Sequence, residues 1–132
     1  MYMAQARSRF GAARANYQFV DLSSQIEGAS PHRLVSILLN ELLKSLDAMA
    51  VACRRDDFSQ RGARQARALA ILHGLEGSLD FDQGGEIAES LAAIYGEARR
   101  LTIEGGRDND AEAIARARGM LDEIASAWDA IA

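Results

Sequence analysis

Few side chains in this sequence are equipped for chemistry. The single thiol, Cys53, follows Leu46 and Met49 at helical spacing, which marks a residue packed in a core instead of a nucleophile. His32 and His73 lie far apart, and neither has a second His or Cys at metal-ligand spacing. An exposed His73 would have one use, accepting a phosphoryl group on its imidazole. Glu76, almost one helical turn further on, would repel that phosphate. Glu86 and Glu89 share a helix face, but such carboxylates are ordinarily solvated. There is no phosphate loop, dinucleotide fingerprint or metalloprotease helix. The residues therefore predict no enzyme, no cofactor and no metal.

The elements that carry these residues are helical. The chain has one proline, few aromatics and a wealth of Ala and Leu, which favours helix over strand. Ser30-Pro31 is a helix start, a good N-cap followed by proline at the first helical position. Leu34, Leu38, Leu42, Leu46, Met49 and Cys53 then repeat at helical spacing as far as about Arg54, with Ile37, Leu43 and Val51 off that stripe. Asp57 and Gln60 have capping-box spacing and open a second helix to about Leu79, with a stripe of Phe58, Ala68, Ile71, Leu72, Leu75 and Leu79. Asp80 to Gly85 reads as a turn. A third helix is predicted from Glu86 to Glu104, with Ile87, Leu91, Ile94, Ala98 and Leu101 as its stripe and Gly105-Gly106 as its end. Asn109 with Glu112 predicts a further capping box. The helix it opens carries Ile114, Ala117, Leu121, Ile124, Trp128 and Ile131 in a heptad seam.

Long helices joined by short connections predict an all-α fold, an antiparallel up-down-up-down four-helix bundle over residues 30–132. Residues 1–29, in which Tyr17 and Ile26 are among the scattered apolar positions, are expected to form a partly helical N-terminal arm that docks loosely on the bundle. At 132 residues the chain can bury a core without staples. Its net charge of −4 argues against nucleic acid as partner. No apolar run reaches the ~20 residues of a membrane span, and a lone cysteine suits the reducing cytoplasm.

Apolar residues off the core stripes matter for binding. Ile37, Leu43, Leu69, Tyr95 and Ile103 fall at the edges or backs of their helices. With an aromatic-bearing arm, they predict apolar grooves that accept the i, i+3, i+4 and i+7 anchors of an amphipathic helix.

Two resemblances follow. His73-Gly74 is similar to the phosphoacceptor segment of histidine phosphotransfer domains, but Glu76 stands where that family places a lysine. Over nearly its full length the chain resembles flagellar secretion chaperones of the FliS type. The matching residues are Tyr17, Ala29-Ser30-Pro31, Leu34-Val35, Ser78-Leu79-Asp80, Gly84-Gly85-Glu86-Ile87-Ala88, Leu91, Ile94-Tyr95, Asn109-Asp110 and Ala127-Trp128. Leu39-Asn40-Glu41 departs from the aromatic and acid-glycine pair that many relatives carry. The resemblance implies a cytoplasmic chaperone that binds the C-terminal segment of flagellin, prevents its premature polymerisation and delivers it to the flagellar type III export gate. It leaves room for a co-chaperone or regulator elsewhere on the bundle. Tyr17 matches an arm position used for partner contact. The expected contacts are thus Tyr17, Ile26, Ile37, Leu43, Leu69, Tyr95 and Ile103. A phosphotransfer protein and a structural bundle without a client are the competing readings.

Overall fold

The computed structural model describes residues 24–131. Its helices are α1 (Pro31–Arg54), α2 (Phe58–Gly77), α3 (Phe81–Asp108) and α4 (Ala111–Ala130). The chain divides into two compact units, Met1–Ile37 and Leu38–Ala132, so the boundary falls inside α1. In the first unit, most of the expected arm lies outside the described residues. Ser24 to Ile26 form one helical turn. Ser30 then caps α1 as its sequence predicts, its Oγ accepting from the Arg33 N–H at 3.1 Å.

The second unit holds the bundle. Its connections are only two or three residues long, which forces successive helices to run antiparallel. Leu39, Leu42, Leu46 and Met49 of α1, Leu72 and Leu75 of α2, and Ile114 and Leu121 of α4 are among the fully buried side chains. α3 contributes Tyr95 and Leu101 together with smaller groups, Ala88, Ala98 and Thr102 among them. The Thr102 hydroxyl donates to the Ala98 carbonyl at 2.7 Å, so its burial leaves nothing unsatisfied.

Several boundaries differ from the sequence expectation. Gly105-Gly106 does not end α3; both residues are helical and buried. A Cβ on Gly105 would lie 2.6 Å from Ile114 Cγ1, and one on Gly106 would overlap the Gln65 side chain. These glycines let α4 and α2 approach the α3 backbone. The helix ends instead at Asn109, left-handed at φ 51°, a conformation Asn tolerates better than most residues. The N-cap of α4 is therefore Asp110, not Asn109. Its carboxylate accepts from the N–H groups of Glu112 at 3.0 Å and Ala113 at 3.3 Å.

The Asp80 to Gly85 segment is not simply a turn. Asp80 caps α3 by accepting from the Asp82 and Gln83 N–H groups, and the first turn forms at once. Gly85, at φ 50° and ψ −124°, then breaks the helical geometry, a conformation open only to glycine. The predicted stripes also overreach at helix ends. Phe58 is 56% exposed, Ile87 73% and Ile131 70%, because periodicity marks a face without showing where its neighbour stops. Conversely Ile37, Leu43 and Tyr95, expected at edges or backs, are buried. Leu43 is buried because the covered arc of α1 takes in roughly half its circumference at 3.6 residues per turn.

Gly105→Ala and Gly106→Ala should separate by urea midpoint. The first overpacks against Ile114 and the Asp110 carbonyl, costing about 1–3 kcal/mol against a helix-propensity gain of about 1 kcal/mol, and should lower stability. The second meets only the movable end of Gln65 and should be close to neutral.

Candidate partner-binding surface

The outer face of α1 carries Asn40, Lys44, Asp47, Val51 and Arg54. Val51, 37% exposed, is the apolar member of that set. It lies beside a shallow groove of about 300 Å³ between the C-terminal half of α1 and the start of α2. The lining includes Ala48, Val51 and Ala52 from α1, Arg55 and Asp57 from the turn, and Gln60 and Arg64 from α2.

The end of this groove is held rigidly. Asn109 Nδ2 donates to the Cys53 carbonyl at 3.2 Å and to Asp56 Oδ1 at 3.0 Å, while its Oδ1 accepts from Arg61 Nη1 at 3.0 Å. One side chain thereby ties the end of α3 to the end of α1, the following turn and α2. Asp56 is itself left-handed at φ 54°. Asp57 caps α2, accepting from the Gln60 N–H at 3.1 Å as its spacing predicts. The Arg61 guanidinium also stacks 4.9 Å from the Phe58 ring centroid.

The expected contact residues occupy several environments. Tyr17 lies outside the described residues. Ile26 and Leu69 are half-buried, and Ile103 is exposed. Ile37, Leu43 and Tyr95 are buried, so a partner reaches them only if the surrounding packing opens. Val51, Phe58, Phe81, Ile87 and Ile131 are exposed apolar residues that sequence reasoning did not assign to binding. Val51 had a visible signal, its place off the α1 stripe. The others are legible only as first, last or post-kink positions of their helices.

The candidates for chemistry are placed no more favourably. Cys53 is buried, and desolvation pushes its thiol up despite the opposing Arg61 and Arg54 charges. His73 is exposed, and Glu76 beside it pairs with Arg99 of α3. Among the described residues no group of three His, Cys, Asp or Glu is arranged to hold a metal ion, and no helix is long and apolar enough to cross a membrane.

Residues 13–132 match the family model described as Flagellar protein FliS. The chain belongs to that family. Among its relatives, the flagellar secretion chaperone FliSB of Pseudomonas aeruginosa is 31% identical over 119 residues, covering 90% of this chain and 94% of its own length. Flagellar secretion chaperone FliS of Salmonella typhimurium is 33% identical over 116 residues, 87% of this chain and 86% of its own. The FliS chaperone of Bacillus subtilis is 25% identical over 105 residues, 80% of this chain and 77% of its own. Membership of FliS makes this chain a flagellar secretion chaperone and not an enzyme.

Asn109→Ala removes the clamp and places a Cβ-bearing residue unsuited to positive φ at the helix end. Equilibrium denaturation should show a loss of about 1–3 kcal/mol, with Asn109→Gly losing less. A second effect concerns pH. Burial raises both Cys53 and Tyr95, so the unfolded chain releases these protons first as pH rises. Stability is complete below the ordinary thiol range and should fall above about pH 9. Cys53→Ala with Tyr95→Phe should flatten that fall in pH-dependent melting.

Proposed function

We propose that this FliS chain is a cytosolic export chaperone for flagellin. It binds the helix-forming C-terminal segment in apolar surface grooves, prevents premature polymerisation and delivers the segment to the type III export gate. The carrying observation is the exposure of Val51, Ile87, Ile103 and other large apolar residues on a bundle whose core is otherwise complete. The family match over residues 13–132 supports the same reading.

A flagellin tail is built to bury apolar faces in a filament, and before assembly those faces need cover. Grooves that take them do so by contact alone, without nucleotide. Ordering the tail costs about 2–5 kcal/mol of the gross contact energy, so affinity must rest on several anchors. Of the assigned contacts, Ile26, Leu69 and Ile103 meet a client on the folded surface. Tyr17 contributes from the arm. Ile37, Leu43 and Tyr95, buried in the folded chain, reach the client as the packing above them parts.

Titration calorimetry of the full chain with a flagellin C-terminal segment tests this. Saturable binding is expected, and Leu69→Asp with Ile103→Asp should weaken it about tenfold or more while circular dichroism stays unchanged. Failure of the native chain to bind would overturn the reading.

A further inference from the structure

α2 is held unevenly along its length. Its N-terminal half is capped by Asp57, tied to the end of α3 by Arg61 donating to Asn109, and packed through Gln65 against the Gly106 backbone. Its C-terminal end carries Gly74 and Gly77, both exposed, and a Cβ on either would meet open space. Neither has positive φ, so no turn or close approach calls for glycine there, and each weakens the helix relative to alanine. No basic residue stands in the last turn to offset the terminal carbonyls. The chain then passes through Ser78, Leu79 and Asp80 into the first turn of α3, which loses helical geometry at Gly85. The stretch from Gly74 to Gly85 is thus bounded by a weak helical turn on one side and a broken one on the other. It is held shut by buried Leu75, by half-buried Leu79 and by the ion pair between Glu76 and Arg99. Both side chains of that pair reach water, so it adds little.

We propose that the corner from Gly74 to Gly85 is a flap that opens while the rest of the bundle stays folded, uncovering Tyr95. The inference rests on the chaperone reading above and assigns the packing that parts to give the client access to Tyr95. Gln65 of α2 packs at Gly106 of α3. The two helices are antiparallel, so eleven residues onward in α2 and eleven back in α3 bring Glu76 level with Tyr95. Eleven residues make about three turns, which keeps Glu76 and Tyr95 on the faces that carry Gln65 and Gly106. The pairing of Glu76 with Arg99, one turn from Tyr95, agrees with that register. Tyr95 is 3% exposed, and the flap is the cover on its α2 side. Opening also uncovers Leu75, so the closed form predominates and the open form is a minor state. The clamp at Asn109 confines the opening to the C-terminal side of α2.

The test is native-state amide hydrogen exchange on the full chain, on G74A/G77A and, as a control, on G62A. Gly62 is likewise exposed with open space around it, but it lies on the clamped side. In the native chain, amides of Leu75 to Leu79 should exchange faster than those of Arg61 to Leu72. Dilute urea should change their rates little, the mark of a local opening. G74A/G77A should slow them about tenfold, and G62A should leave them unchanged. The open fraction limits client binding, so the flagellin C-terminal segment should bind G74A/G77A about tenfold more weakly than the native or G62A chains. Equal slowing by G62A would mean that α2 leaves as a whole and would overturn the inference. Exchange of Leu75 to Leu79 as slow as that of Leu42 to Met49 would overturn it too, because the corner would then open only with the entire bundle. Equal binding of the segment by native and G74A/G77A chains removes the gate and leaves the chaperone reading standing. If neither chain binds it, both fail.

Discussion

Leu39, Leu42, Leu46 and Met49 are without solvent exposure, and with Leu43, Ala50, Ala52 and Cys53 they cover roughly half of the α1 circumference. A helix with an apolar arc this broad cannot be sheltered by one neighbour. It must be surrounded, and the short connections oblige the following helices to turn back alongside. The remaining helices can then be modest. α2 contributes Ala68, Leu72 and Leu75 as its buried residues, and α3 contributes mainly small groups. Residues that would be too slight to hold a helix alone suffice because α1 supplies as many large buried apolar side chains as the other three helices together.

Small groups bring a second consequence. Where α3 presents Gly105 and Gly106, its neighbours come close enough that a single methyl group would collide. At that end of the bundle, polar contacts complete the fit. Asn109, Arg61, Asp56 and the Cys53 carbonyl are satisfied by one another, so the turn between α1 and α2 is held from the α3 side. The opposite end is looser in design. Gly85 interrupts α3 after its first turn, and Phe81, Ile87 and Ile131 stand exposed there. Exposed apolar residues stand at both ends, Val51 and Phe58 beside the clamp and Phe81, Ile87 and Ile131 at the other.

Electrostatics follows the same economy. Exposed pairs such as Arg100 with Glu97, which holds that carboxyl below its usual range, add little stability because water screens them. Their effect is to consume charge.

The sequence by itself determined the helices, the serine cap at Ser30, the aspartate cap at Asp57, the burial of Cys53 and the FliS membership. Each of these depends on residues near one another in the chain or on an ordered set of motifs. Only the tertiary structure decided which side of a helix another element reaches. Gly105-Gly106 looked like a helix end because glycine is a poor helix former, and only the approach of Ile114 and Gln65 explains their place inside α3. Asn109 looked like a cap because its spacing to Glu112 is right; its partners Arg61 and Cys53 are distant in sequence and near only after folding. Leu43 and Tyr95 looked peripheral and are core, while Phe58 and Ile131 looked like core and are exposed. Helical periodicity gives the direction in which a side chain points, but burial also requires something there to meet it.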